Sequence, residues 1–376
     1  MEYTKLKEIN KYKSESINPA KTPDVVFEMY SVPIYDTGHP EYLRGDEIAS
    51  NKAIVRKNDI LLCKINPRIN RVWIVADESE YTNIASSEWI VVRTEDYNPE
   101  FLAWYFRTTK FQKLMTSEVT GIGGSLTRAQ PKCVAEYPVP ILSRDQQDSI
   151  VEVLNQCKFI IEARKKELTD LDDLIKARFV ELFDLNSCKR KTLGECTDFV
   201  DYRGHTPELS DEGTIRMVNA KSVGKGFFKY IDEYVTEETY DSWMHRGFAY
   251  PGDVLFVTEG HTFGNTCLIP DDMKKFALGQ RVITIKGHGD IRNAFLCSYM
   301  QTDMFWKDIN VYRTGGTAQG IRSKDLVKVE VPIPPLDKQD LFMNFVKQVD
   351  KSKVAVQMSL DETQKLFNSL MQDYFE

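Results

Sequence analysis

The sequence contains no stretch of about eighteen consecutive uncharged apolar residues, the length a membrane-spanning helix requires. Its first twenty residues are polar and lack the basic, apolar and small-residue order of a secretion signal. A cytoplasmic protein is therefore expected. Cys63, Cys133, Cys157, Cys188, Cys196, Cys267 and Cys297 form an odd set with no C-x-x-C and no Cys/His spacing for zinc. They read as reduced, mostly buried thiols. The five histidines have no metal-ligand spacing, and no serine lies in a nucleophile elbow. Neither a Walker-type phosphate loop nor a G-x-G-x-x-G that opens a helix is present. Asn66-Pro67-Arg68 only begins like the N-P-P-aromatic motif of amino-methyltransferases, and Asp272-Met273-Lys274 reads as a solvated turn, not as a nuclease pair. Catalytic chemistry is thus not expected. Nor is there an excess of basic charge: the net charge is −7, most of it in the helical stretches described next.

What is there is a heptad pattern written twice. Stepping by four and three from Ile150 gives Leu154, Cys157, Ile161, Arg164, Leu168, Leu171, Ile175, Arg178 and Leu182. Adding 192 gives Phe342, Val346, Val349, Lys353, Val356, Leu360, Thr363, Phe367, Leu370 and Tyr374. A 3.5-residue repeat over four to five heptads is the pattern of a helix packed along its length on another helix. At 1.5 Å per residue each would extend roughly 50 Å. One such helix alone would most simply cover a globular core. Two copies in one register are expected to bury their seams on each other. Each has a marked start: Pro138, Pro140 and the Ser143/Gln146 capping-box spacing before the first, Pro332, Pro334, Pro335 and Asp337 before the second. Arg164, Arg178, Lys353 and Thr363 interrupt the seams, either to fix register or where the helices curve.

The segments before the helices repeat as well, their best-aligned parts at an offset of 194. Lys5-Leu6-Lys7-Glu8-Ile9 and Thr192-Leu193-Gly194-Glu195-Cys196 open them. Asp59-Ile60-Leu61-Leu62 matches Asp253-Val254-Leu255-Phe256, and Val72-Trp73-Ile74-Val75 matches Thr266-Cys267-Leu268-Ile269; both pairs read as strands. Between them residues 64–71 and 258–265 share nothing. A matched frame around unmatched polar loops fits two readers of different targets, or ordinary loop drift after duplication. Strands are also predicted at 88–92 and 281–285, followed by helices carrying Phe101, Leu102, Tyr105 and Phe106 in one copy and Phe295, Leu296, Tyr299 and Met300 in the other. Their one-faced spacing marks these as core. Gly-rich stretches follow at 120–125 and 314–319, with Arg128 aligned to Arg322. Glycines expose backbone N–H groups to a phosphate or base edge, although a plain turn has the same composition.

In these residues the chain resembles the specificity subunits of type I restriction–modification systems. The carriers are the two openings, the Asp59 and Asp253 strands, and the Thr-Gly loops before Arg128 and Arg322. The passages Tyr137-Pro138-Val139-Pro140-Ile141-Leu142 to Gln147 and Val331-Pro332-Ile333-Pro334-Pro335-Leu336 to Gln339 are the most specific. The resemblance implies an α+β chain of two pseudo-repeated mixed α/β target recognition domains, 1–142 and 188–336. Each is followed by a long helix, 143–187 and 337–376, the two helices pairing as an antiparallel coiled coil that spaces the readers. It implies a non-catalytic subunit that binds double-stranded DNA at a bipartite target, one half-site per domain. It further implies docking of two methyltransferase subunits and, through them, restriction subunits; S-adenosylmethionine, ATP and Mg would belong to those partners. Candidate DNA contacts are Lys64, Asn66, Arg68, Asn70, Arg71 and Arg128 in the first domain and Thr258, His261, Thr262, Asn265, Gln319 and Arg322 in the second. Arg and Lys suit guanine or phosphate, and Asn and Gln suit adenine. The competing readings are a self-contained enzyme and a protein-binding adaptor with a coiled-coil spacer.

Overall fold

The computed structural model describes residues 2–76, 78–120, 127–202, 206–313 and 319–375. The chain divides into two compact units, Met1–Arg164 with Ser359–Glu376, and Lys165–Met358. The long helices Arg144–Leu182 and Leu336–Phe375 each contribute one half to one unit and one half to the other.

In the first unit, Tyr3–Lys5 pairs antiparallel with Pro138–Pro140, so the chain's opening is tied to the entry of the first long helix. Two sheets follow. Strands Ser16–Ile17, Lys52–Ile54, Thr82–Ala85, Val26–Tyr30 and Glu41–Arg44 lie in that order, with only the third and fourth paired in parallel, Phe27 opposite Thr82. The other sheet sets Ile60–Cys63 between Val72–Ile74 and Trp89–Val92, all antiparallel. Side chains alternate across a strand, yet the run Ile-Leu-Leu-Cys has no polar residue. The reason is that both faces are covered. Ile60 and Leu62 enter a core with Phe101, Tyr105 and Leu154; Leu61 and Cys63 enter another with Tyr30, Trp73 and Trp89. Helix Pro99–Phe106 starts at Asn98, whose side chain accepts from Glu100 N at 2.8 Å, with Pro99 in the first turn. Its residues from Phe101 to Phe106 are all buried, because the sheet lies on one side and long-helix residues on the other.

The second unit repeats this plan. Lys189–Thr192 pairs with Glu330–Ile333, and the turn Leu193–Cys196 is fixed by a capping box between Thr192 and Glu195. Strand Val254–Val257 sits inside an antiparallel sheet of order Thr197–Asp201, Val282–Gly287, Val254–Val257, Thr266–Leu268. It is again covered twice, Val254 and Phe256 on the side of Phe295, Leu255 and Val257 on the side of Met217 and Leu278. A smaller sheet joins Tyr234–Val235, Ile215–Val218 and Phe276–Leu278.

The first long helix begins with the Ser143/Gln146 capping box in place, Gln146 N donating to Ser143 Oγ at 3.3 Å and Ser143 N to Gln146 Oε1 at 3.0 Å. Ile150, Leu154, Cys157, Ile161, Phe342, Val346, Val349, Val356 and Leu360 are buried, whereas Leu168, Leu171, Ile175, Leu182, Phe367 and Leu370 are only half-buried. Toward each helix end the buried stripe leaves the heptad register. Phe179 and Phe183 are buried instead of Arg178 and Leu182, and Phe375 instead of Tyr374. A straight helix drifts about 20° per heptad against a strict seven-residue repeat, and here the drift turns the stripe onto the short aromatic helix of the same unit, Asn293–Tyr299 in the second and Pro99–Phe106 in the first. Phe183 packs on Phe295 (ring centroids 4.8 Å) in the second unit, and Phe375 on Phe101 (5.4 Å) in the first.

Within the second unit the contacts between the two long helices run antiparallel. Phe183 and Phe179 meet Phe342, Arg178 lies over Phe345, and Asp172 pairs with Lys353 at 2.6 Å. Lys353 thus enters the seam with a counter-ion; in the first unit Thr363 turns its hydroxyl onto Ser359 O at 2.8 Å. Among the described residues, no helix is long and apolar enough to cross a membrane.

Candidate nucleic-acid interface

The unmatched loops 64–71 and 258–265 leave the central strand of each unit at a three-way crossing of chain segments. In the first unit Lys64 N donates to Glu88 O (3.0 Å), Ala129 N to Lys64 O (2.9 Å) and Asn66 N to Thr127 O (2.8 Å). The second unit repeats all three, Thr258 N to Arg281 O (2.9 Å), Ile321 N to Thr258 O (2.9 Å) and Gly260 N to Gln319 O (3.1 Å). Isolated bridges Ile65/Arg128 and Glu259/Gly320 mark the same crossing. The residues that follow the Gly-rich stretch, 127–129 and 319–321, therefore lie beside the hairpin loop in both units. Residues 121–126 and 314–318 of that stretch lie outside the described ones, as do residues 203–205.

This geometry corrects one sequence alignment. The hairpins match at an offset of 194, but the returning segments match at 192, so Arg128 corresponds to Gly320 and Arg322 to Gln130. The helical turns that follow agree: Gln130 caps Pro131–Val134, and Arg322 caps Ser323–Leu326. The second copy is two residues shorter between its aromatic helix and this crossing, which is why the long helices repeat at 192.

The loops are braced from beneath. Asn70 Nδ2 donates to Phe106 O at 3.3 Å, Gln112 donates to Pro67 O, and Asn66 holds a left-handed φ of 45°. In the second unit Asn265 Nδ2 donates to Val223 O at 3.1 Å, and Gly264, at φ 82°, faces the Trp306 ring so closely that a Cβ would lie 2.2 Å from it. Such bracing pre-orders the loops.

The twelve candidate contacts accordingly separate. Arg68, His261, Gln319 and Arg322 are exposed at or beside the crossing, and Lys64 and Thr262 are half-buried there. Asn70 and Asn265 spend their side-chain amides on the brace, and Arg71 lies against the Cys63 thiol. Asn66 contributes backbone bonds and the turn. Thr258 is fully buried at the strand's end, so its side chain presents nothing to a ligand. Arg128 is held by Glu88 through Nε and Nη2, both at 3.2 Å.

The sequence reading missed Glu88, Glu259 and Arg281. Arg281 occupies the backbone place of Glu88, has a φ of 65°, and pairs through Nε with Glu259 at 3.2 Å. The correspondence of strands 88–92 and 281–285 already aligns Glu88 with Arg281, and the strand register agrees with it; the partner each residue finds comes from another segment and carries no local signal.

Two further pairs explain why the chain repeats itself around the frame. Gln147 is buried, accepts from Asn98 N (2.8 Å) and donates to Leu142 O (2.9 Å). Gln339 is buried, accepts from Arg292 N (2.8 Å) and donates to Asp290 O (2.9 Å) and Pro334 O (2.8 Å). Each locks the cap of an aromatic helix to the first turns of a long helix. Asp59 is buried against Arg93 (2.6 Å), whereas its counterpart Asp253 takes hydrogen bonds from Tyr250 N (2.9 Å) and Asn293, and burial holds its carboxyl above the usual range. Among the described residues, no group of three His, Cys, Asp or Glu is arranged to hold a metal ion.

Comparison with known proteins agrees with the resemblance. Residues 191–360 match the model of the type I restriction modification DNA specificity domain. Two curated relatives come from Methanocaldococcus jannaschii. The putative type I restriction enzyme MjaX specificity subunit is 21% identical, over 85% of this chain and 77% of its own length. The type I restriction enzyme MjaVIII specificity subunit is 20% identical, over 88% and 82%. Among solved structures, the type I restriction–modification S subunit from M. genitalium matches with a TM-score of 0.63 at 14% identity, over 100% of this chain and 96% of that one. A chain from a type I system solved to explain its complex assembly and conformational transition matches with a TM-score of 0.58 at 18% identity, over 99% and 96%. The structures support the fold.

Proposed function

The chain belongs to the specificity-subunit family of type I restriction–modification systems, and from that premise we propose that it reads a split DNA target, one half with each unit. The observation that carries this reading is the crossing itself. The same backbone frame recurs in both units, and the side chains it presents differ, with half-buried Lys64 and exposed Arg68 in one and exposed His261, Gln319 and Arg322 in the other. Two frames with unlike contents suit two unlike half-sites, since direct readout depends on the donors and acceptors offered to base edges.

The chain would carry no chemistry of its own. It would dock two methyltransferase subunits acting on adenine N6 with S-adenosylmethionine, and through them ATP- and Mg-dependent restriction subunits. Its part in the reaction is to set a target adenine where a methyltransferase can extrude it from the stack.

The test is a base-resolution map of N6-methyladenine in cells expressing a type I methyltransferase subunit from the same organism, with and without the chain. A split motif with unlike halves at fixed spacing, present only with the chain, is the expected result. Unchanged methylation despite co-purification of the two proteins would sink the reading and favour a protein-binding adaptor, which the net charge of −7 would suit.

A further inference from the structure

The reading of DNA by both units leaves open which side chain sets the sequence each one accepts. At both crossings a single arginine is held by a single carboxylate, yet the chain builds the pair from different positions. In the first unit Glu88 stands before the strand and Arg128 on the returning segment. In the second, Arg281 stands at the place of Glu88, Gly320 at the place of Arg128, and Glu259 at the place of Ile65. The charges have changed strands and the pair has been kept.

Stability does not account for that. Side-chain exposures are 41% and 28% in the first pair and 56% and 53% in the second, and ion pairs so open to water add little to folding. Arg281 also sits at a left-handed φ of 65°, a conformation long side chains rarely adopt. Strain of this kind collects where a side chain must be aimed. Arg128 engages Glu88 through Nε and Nη2 together, and a guanine O6/N7 edge can take a guanidinium in the same two-pronged way.

We propose, building on the DNA-reading function above, that Arg128 and Arg281 are the specificity-determining side chains of their units. Each donates to a guanine in its own half-site. Glu88 and Glu259 are positioning residues: they hold the fork at the crossing beside the reading loop and yield it to the base. No covalent step is involved.

The adenine-methylation map is repeated with variants. Arg281→Lys keeps the charge and loses the fork, so discrimination at one guanine of one half should fall roughly tenfold to a hundredfold while the other half is read as before. Arg128→Lys should do the same to the opposite half. The exchange of Glu88→Arg with Arg128→Glu re-forms an ion pair with its charges reversed, so it should melt close to the unmodified chain yet lose the original motif. An unchanged motif in Arg281→Lys overturns the proposal. So does a uniform drop in methylation with the motif intact, the mark of a phosphate contact, or an exchange variant that restores the wild-type motif. If the unmodified chain yields no split motif, the DNA-reading function itself has failed, and the variants would not be needed to see it.

Discussion

Replacing Gln339 with leucine isolates what holds each aromatic helix to its long helix. Leucine fills nearly the same space, so the cavity contribution is small and the change is one of hydrogen bonding. Three backbone groups lose their partner: Arg292 N–H, Asp290 O and Pro334 O. A buried group left unpaired costs about 1–3 kcal/mol. The two carbonyls lie where the chain turns toward the helix, so the lower part of that range applies to them, and the total is about 4 kcal/mol. Gln147→Leu strands only Asn98 N–H and Leu142 O, and should cost about 2–3 kcal/mol. Domains are typically stable by about 5–15 kcal/mol, so either change is a large fraction of the whole. Native-state hydrogen exchange checks this directly: the Arg292 amide should lose protection in Gln339→Leu, with amides of residues 165–358 affected and those of residues 1–164 spared. Gln339→Glu should be worse than leucine near neutral pH, because it keeps the acceptor but buries a charge without a cation. A loss below about 1 kcal/mol, or an Arg292 amide as protected as before, would refute the reasoning that this glutamine is a clamp.

Other perturbations follow from the same packing. Phe183→Ala and Phe375→Ala should each cost about 3–5 kcal/mol, the first loosening residues around Phe295 and the second those around Phe101, as read by exchange in the two units separately. Burial holds the Asp253 carboxyl above its ordinary value of 3.8. The folded chain therefore keeps this proton longer than the unfolded chain does, and stability declines as pH rises from 3.8 through the raised value. Asp253→Asn should remove that decline in urea melts run from pH 4 to 7; an unaltered pH dependence would count against it. Burial pushes Cys196 up to about 11 and Cys297 up to about 12. Thiol labelling of the folded chain at pH 8 should therefore reach the half-exposed Cys133 and Cys188 first, and early labelling of Cys297 would contradict the described core.

Much of the frame could be read from the sequence because it rests on local signals. Capping residues, prolines before the long helices and the heptad stripe are spaced within a turn or two of one another. The strands around Ile60 and Val254 were visible as unbroken apolar runs, although why they are unbroken emerges only when Leu61 and Leu62 are seen in different cores. What was not legible depends on register between distant segments. The slip from 194 to 192 falls in the Gly-rich stretch, where composition carries no alignment, and it moved Arg322 onto Gln130 instead of Arg128. The Arg281–Glu259 pair was hidden for the same reason, since its two residues come from different strands. Asn70, Asn265 and Thr258 looked like polar loop donors, but the backbone needed two as braces and the strand's end buried the third.

The division of the long helices also sets an order of events during synthesis. Residues 165–358 are contiguous and hold everything their unit packs, so that unit can close as soon as Met358 has cleared the ribosome. The unit that begins the chain cannot. Phe101 and Tyr105 wait for Phe375, more than 260 residues downstream, and at about 5–20 residues per second that wait is some tens of seconds or less. Of the two units, the one begun earlier is thus the later to be finished. A nascent or truncated chain would show it as an uncovered aromatic face around Phe101 and Trp104, open to chaperones and proteases until the final helix turns arrive.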